Sequence, residues 1–349
     1  MNLKSLNIGD FFAKIPIVQG GMGVGVSLSG LAAAVAAEGG VGVISAAHIG
    51  FDLPNFEQNP IKANLEALAQ HIRIAREKAK GGVIGVNIMT AMRHYDELVK
   101  QSVKSKVDII FSGAGLPVNL PALVKNSTTK IAPIVSSVKS AAVLLKMWDR
   151  RYGMTADAVV VEGPKAGGHL GFKPEEIEAK EDYDAELMDI IAFINTYEEK
   201  YDKKIPVIFA GGVYNKSDIE RYLEMGCDGV QMASRFVATD ECDAHIRFKE
   251  AYVKAKADDI VLVKSPVGMP GRALFNNFIQ RIQGQKPAIK KCYDCITPCN
   301  PKEAPYCITK ALITSVKGDT DNGLLFCGAN THHINGITSV KSLMKSLTD

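Results

Sequence analysis

Eight short apolar runs, rich in β-branched residues and separated by helical patterns, constrain this chain more than any other feature. They fall at residues 15–19, 41–45, 83–87, 107–111, 131–135, 158–162, 206–210 and 229–232. Most are continuous rather than alternating, which is how strands buried on both faces of a parallel sheet read. Residues 27–38, 61–80, 95–105, 137–149, 186–200 and 217–225 carry helical periodicity between them. Asn119 and Ser136 read as N-caps of the fourth and fifth helices. Gly39-Gly40 and Gly226 read as the left-handed stops that end two others. Eight such units predict an α/β fold, the closed (β/α)8 TIM barrel, because an open doubly wound sheet more often ends at about five to seven strands.

The barrel is expected over residues 10–272, followed by a C-terminal helical and irregular extension over 273–349 that carries a cysteine cluster. The acidic stretch 171–186 reads as a solvated loop and a helix start. Forty-one basic against 38 acidic residues leave a net charge of +3, so neither nucleic acid nor an anionic membrane is an expected partner. No apolar window reaches the ~18 residues of a membrane span, and residues 1–14 lack the apolar core of a signal peptide. A cytoplasmic chain is expected. The odd count of seven cysteines, four of them within 292–307, does not read as a secreted disulfide framework.

Active sites of such barrels lie at the C-terminal ends of the strands, so the exits carry the functional reading. The first exit is Gln19-Gly20-Gly21-Met22-Gly23, the third Asn87-Ile88-Met89 and the fourth Ser112-Gly113-Ala114-Gly115. The sixth runs from Glu162 through Gly163, Pro164, Lys165, Ala166, Gly167 and Gly168 to His169. The seventh is Gly211-Gly212 and the eighth Gln231-Met232-Ala233-Ser234-Arg235. Glycine lets backbone approach a flat ligand closely, and the last two loops are where a barrel commonly seats a phosphate. Ser234 adds a hydroxyl there and Arg235 a positive field. No G-x-G-x-x-G, Walker A or G-x-S-x-G pattern is present, so a mononucleotide such as FMN suits the chain better than NAD on a Rossmann crossover.

His169 follows paired glycines at a strand exit, where an imidazole can exchange a proton with a substrate. His48, His71 and His94 read as surface residues, and His332-His333 is unplaced. Cys292-x2-Cys295-x3-Cys299-x7-Cys307 offers a thiolate set for zinc or an iron–sulfur cluster, with Cys327 and the histidine pair as further ligands. Reduced cysteines in a compact tail are the competing reading. Cys227 and Cys242 read as barrel and loop cysteines.

Taken in order, the motifs PIVQGGMG, GVNIM, EGPKAGGHLG, PVIFAGGV and GCDGVQMASRF resemble those of the nitronate monooxygenases, formerly 2-nitropropane dioxygenases, over about residues 16–272. The same superfamily holds the FMN-containing type II enoyl-acyl-carrier-protein reductases. The resemblance implies an FMN barrel in which Met22 and Gly23 line the flavin ring and Asn87 bonds the flavin or its ribityl chain. It places Glu162 where many nitronate enzymes carry Gln, and makes Gly167, Gly168, Gly211 and Gly212 FMN contacts. Gln231, Met232, Ala233 and Ser234 would lie at the phosphate, and His169 matches the family's active-site histidine. The Gln-Gly-Gly-Met loop and Glu162 are closer to the reductases, and Ala233 stands where Gly is usual.

Two activities are implied. One is oxidation of alkyl nitronates with O2 to a carbonyl compound and nitrite. The alternative is reduction of an enoyl thioester by NAD(P)H, with an acyl carrier protein as partner. A small-molecule substrate is expected in the first reading, and a homodimer is left open.

Overall fold

In the computed structural model, which describes residues 3–179, 182–284 and 288–349, eight parallel strands close into a barrel. They are β1 (Ile17–Gln19), β2 (Val41–Ser45), β3 (Val83–Met89), β4 (Ile109–Gly113), β5 (Lys130–Val135), β6 (Val159–Glu162), β7 (Val207–Ala210) and β8 (Gly229–Met232). Val230 lies opposite Ile17, and that pairing of β8 with β1 completes the ring. The helices that follow the strands are α1 (Ser29–Ala37), α2 (Pro60–Lys78), α3 (Tyr95–Lys104), α4 (Leu120–Val124), α5 (Val138–Tyr152), α6 (Asp184–Tyr201), α7 (Lys216–Glu224) and α8 (Ser234–Val237). The expected (β/α)8 fold is the observed one.

Local chemistry sets the helix ends. Asn59 accepts the Lys62 N–H at 3.2 Å, with Pro60 opening α2. The residue that caps α5 is Ser137, not Ser136: it forms a reciprocal capping box with Ser140, and Gly153 ends the helix in the left-handed region. Asn119 does sit at the start of α4, but its side chain does not cap. Gly39 and Gly226 take positive φ just past α1 and α7, as expected. At Gly42 a Cβ would stand 1.8 Å from the Ala32 carbonyl oxygen, so the small residues of β2 and α1 permit the closest strand–helix approach.

Two apolar layers result. Inside the barrel, Val18, Val43, Ile109, Phe111, Val160 and Ile208 pack with Leu6 and Ile8. Those last two belong to an N-terminal hairpin (Leu6–Ile8 with Phe11–Ala13) whose apolar face joins the barrel interior. Outside, the helices bury a second layer against the strands. Two strands shift from expectation. β1 starts at Ile17 and β4 at Ile109; the preceding Asp108 carboxylate accepts the Ile84 N–H at 2.8 Å and pairs with Arg76 at 2.7 Å.

Past α8 come α9 (Ile246–Lys254) and an antiparallel hairpin of β9 (Ile260–Lys264) and β10 (Pro270–Leu274). β10 also pairs with the two-residue strand Gly168–His169 in the loop after β6. The chain then forms α10 (Asn277–Gly284), α11 (Ile308–Val316) and α12 (Val340–Thr348), the last packed against α1. Among the described residues, no helix is long and apolar enough to cross a membrane. The acidic stretch folds as a short helix (Pro174–Ala179) before α6, and Lys180 and Glu181 within it lie outside the described residues.

His48 corrects the surface reading: it is 6% exposed, with φ +45°, and its ring packs edge-on against Phe56 at 5.5 Å. Burial pulls its pKa down to about 4. His71 is half-buried and bonded to Ser29 at 2.9 Å, while His94 pairs with Asp294 at 3.1 Å.

Candidate active site

The strand exits line one cavity of about 240 Å³ at the C-terminal mouth of the barrel. Met22, Gly23, Asn87, Glu162, Gly167, Gly168, His169, Gly211, Gly212, Gln231, Met232, Ala233 and Ser234 all face it. The first loop approaches β3 so closely that a Cβ on Gly21 would lie 2.3 Å from Asn87 Cβ. After β7, Gly211 and Gly212 take φ of +113° and +85°, and the stem of Lys165 lies across Gly212. After β8, the short helix α8 leaves the N–H groups of Ser234 and Arg235 outside the helical ladder. The Arg235 guanidinium bonds the Tyr214 carbonyl at 2.9 Å and stacks on the Tyr214 ring, so its charge is held against that loop.

His169 Nε2 shares a hydrogen bond with Ser265 Oγ at 2.7 Å, and its ring meets Phe326 edge-on at 4.9 Å. Burial pulls its pKa down to about 4, so the ring is neutral at pH 7. A neutral imidazole can donate or accept one hydrogen bond; an imidazolium here would have to take up its proton together with an anionic substrate. Glu162 closes β6, and burial pushes its carboxyl up to about 7. The two groups flank the same cavity with their pKa values moved in opposite directions.

Glu162→Gln therefore has an expected signature. The folded pKa of Glu162 lies above the unfolded value, so the fold favours the protonated form. Its contribution to stability is whole below about pH 4.5 and is lost as the pH rises through about 7. The Gln variant should lack this decline and be more stable above pH 7 by about 1–2 kcal/mol. Thermal melts from pH 5 to 8 check it; parallel curves for the two proteins would reject the assignment.

The sequence reading missed one wall. Phe326, Cys327, Gly328, Ala329 and Asn330 of the extension line the cavity. Gly328 N–H donates to Ser234 Oγ at 2.9 Å and Asn330 Nδ2 to the Gly212 carbonyl at 2.6 Å, fastening this segment onto the loops after β7 and β8. Gly167 is what lets it approach, since a Cβ there would meet the Cys327 backbone at 2.6 Å. Only the Gly328-Ala329-Asn330 turn signal hinted at it.

Cys327 is thus a cavity-wall residue, with burial pushing its pKa up to about 12, and not a neighbour of the tail cysteines. The rings of His332 and His333 meet at a tilt, and His333 packs against Tyr214. Cys227 and Cys242 are buried. Cys292 is exposed, while Cys295, Cys299 and Cys307 are half-buried free thiols. Among the described residues, no three His, Cys, Asp or Glu side chains form a group that could hold a metal ion, so the thiolate set expected at Cys292, Cys295, Cys299 and Cys307 is not assembled.

A closed barrel with one cavity at its catalytic mouth, bordered by glycine loops, a half-buried histidine and a half-buried carboxyl, defines a barrel enzyme. The chain belongs to the nitronate monooxygenase family, whose model matches residues 5–349, and is an oxidoreductase of that family. It is 26% identical to a probable nitronate monooxygenase of Staphylococcus saprophyticus, over 81% of each chain. It is 25% identical to a Mycobacterium tuberculosis protein named (3aS,4S,5R,7aS)-5-hydroxy-7a-methyl-1-oxo-octahydro-1H-indene-4-carboxyl-CoA dehydrogenase, over 77% of this chain and 65% of that one. Among solved structures, FabK from Thermotoga maritima superposes with a TM-score of 0.73 at 28% identity, covering 95% of this chain and 91% of that one.

Proposed function

We propose that the protein is an FMN-dependent oxidoreductase that oxidises alkyl nitronates with O2 to a carbonyl compound and nitrite. The observation that carries this reading is the convergence of every expected cofactor contact and His169 on one cavity. The cavity suits FMN on its own geometry. Gly211 and Gly212 hold backbone conformations that side chains rarely adopt, the first turn of α8 offers N–H groups, and Lys165 adds a cation beside them. Met22, Gly23 and Asn87 then border the flat ring, and the segment Phe326–Asn330 closes the rim.

Bound FMN would supply the redox chemistry. The chain's own residues position and protonate. Neutral His169, steadied by Ser265, would accept the α-proton of a nitroalkane or donate a hydrogen bond to a nitro oxygen. Glu162, protonated below about pH 7, would not repel an anionic nitronate there. Phe326 and the segment up to Asn330 would partly screen the reacting carbon from water.

Glu162 also favours a second reading. A carboxyl ionised above pH 7 repels an anion but not the carbonyl of an enoyl thioester, the substrate of the reductase branch, for which NAD(P)H would be the reductant and an acyl carrier protein the partner. The likeness to a protein named for an acyl-CoA substrate points the same way. Anaerobic absorbance of the flavin-loaded protein separates the two. Bleaching by propyl-2-nitronate but by neither NADH nor NADPH supports the nitronate reading. Bleaching by a reduced nucleotide, reversed by an enoyl thioester, replaces it with the second.

Ser234→Asp tests the phosphate end. Two like charges about 5 Å apart at a partly solvated site repel by about 1.5 kcal/mol, so flavin affinity should drop about tenfold. Fluorescence titration of the flavin-free protein reads this directly; unchanged affinity would move the phosphate away from Ser234.

A further inference from the structure

We propose that the cavity runs on past His169 into an apolar arm that takes a linear alkyl chain borne by the reacting group, so that longer aliphatic compounds are the preferred substrates. The identity of the head group rests on the nitronate reading; the fit of the chain does not.

The segment 324–330 gives the cavity its direction. Gly328 and Asn330 are fastened to the loops after β8 and β7, where the phosphate would lie. Two positions earlier, the Phe326 ring meets His169 at 4.9 Å. Two earlier again, the Leu324 N–H donates to the Ala311 carbonyl of α11 at 3.0 Å. At about 3.3 Å per extended residue, Leu324 lies roughly 7 Å beyond Phe326. The cavity follows the segment this far, because Leu324 lines it as Ser234 and His169 do.

The walls of this far end are apolar. Val24 and Val26 come from the loop after β1, Phe248 from α9 and Leu312 from α11, with Leu324 and Phe326 between them. Gly25 seats the first of these walls on α11, since a Cβ there would stand 3.3 Å from Val316 Cγ2. Val24, Val26, Phe248 and Leu324 are buried, whereas Leu312 and Phe326 are only half-buried. Apolar surface left open in a cavity is covered favourably by the methylenes of a ligand.

The polar side chains of the arm are already engaged. Ser315 Oγ lies 2.6 Å from the Leu324 carbonyl and 3.0 Å from the Leu312 carbonyl, so its one proton is taken. The Tyr252 hydroxyl donates to the Phe326 carbonyl. Among the described residues, the charged side chains that line the cavity are Glu162, Lys165 and Arg235, all at the exits of β6 and β8. A hydroxyl or charge carried into the arm would lose its water without gaining a partner, and an alkyl chain has nothing to lose. The cavity is thus polar where a head group and phosphate would sit and apolar beyond His169.

The test reads chain length twice on the flavin-loaded protein. In calorimetric titration with unreactive primary amides, from propanamide to octanamide, affinity should rise about threefold to fourfold per methylene. The heat-capacity change should become more negative along the series. The kcat/KM of alkyl nitronates from ethyl to hexyl should climb by the same factor per carbon. Leu312→Trp fills the arm and should flatten both series to within about twofold from end to end, with flavin stoichiometry showing that the variant is folded. Equal affinities along the amide series, or no binding of octanamide, overturn the proposal, and so do native slopes in Leu312→Trp. Should that variant fail to fold, the native amide series decides. A rising amide series in a protein that oxidises no nitronate keeps the arm and removes the nitronate reading. A flat amide series in a protein that oxidises nitronates removes the arm and keeps that reading.

Discussion

Replacing His169 with alanine is expected to leave flavin bound and to cut turnover by about 10²- to 10⁴-fold. The geometry separates the two effects. His169 lies on the rim strand paired to β10, away from the loops after β7 and β8 that would hold the phosphate, so its loss leaves those loops intact. Its Nε2 has a fixed partner in Ser265 Oγ, which itself accepts the Val267 N–H at 3.3 Å and so stays satisfied in the variant. The variant therefore leaves no partner unsatisfied, and the ring's position over the cavity is what is lost. Flavin absorbance and steady-state turnover measured on the same sample check this. Turnover within about twofold of the native enzyme would remove His169 from the chemistry, and loss of flavin would make it a structural residue.

The acid side of the same residue is informative. The folded pKa of about 4 lies below the unfolded value, so neutral His169 contributes stability that is present above about pH 6.5 and is lost as the pH falls toward 4. His48, in the loop after β2, behaves alike. Two histidines held neutral by desolvation thus act in parallel on acid stability, and of the two His169 lines the cavity.

The barrel and most of its mouth were legible because each rests on local signals. Continuous runs such as Val41–Ser45 can be buried on both faces only in a covered parallel sheet, and glycines at the exits mark where backbone turns sharply. The missed parts depend on contacts between distant residues. The Asp108 carboxylate ties the start of β4 to Ile84 and Arg76 in two other elements, a contact that no local pattern announces. The ring of His48 turns inward because Phe56 and Tyr293 enclose it, the latter 245 positions on. The boundary expected near residue 272 falls inside β10, whose other edge completes the His169 strand. No periodicity in residues 326–330 announces that they return to Ser234 and Gly212; only the fold brings them there.

Arg272 is where that return is locked, and Arg272→Met is expected to cost about 3 kcal/mol and to lower flavin occupancy. The guanidinium is 8% exposed and donates to the Pro164 carbonyl at 2.9 Å and to the Ala166 carbonyl, both in the loop that carries His169. Its own carbonyl accepts the Cys327 N–H at 3.0 Å, so one residue ties the loop after β6 to the cavity wall from the extension. Burial holds the guanidinium pKa below its usual value, which measures the desolvation this arrangement tolerates. Methionine recovers part of that desolvation and keeps the apolar stem. Against it stand two buried carbonyls left without donors at about 1–3 kcal/mol each, together with the charge-assisted bonds themselves. The loss exceeds the relief, because both buried carbonyls take their side-chain donor from this one fork. For a chain of this length, about 3 kcal/mol corresponds to a fall in Tm of roughly 4 °C. Arg272→Lys should fall between the two, since one ammonium can serve one carbonyl well but not both. Melting curves and flavin stoichiometry for the three proteins check the order; a methionine variant within about 2 °C of the native Tm and fully flavinated would mean that the loop after β6 is held by β10 pairing alone.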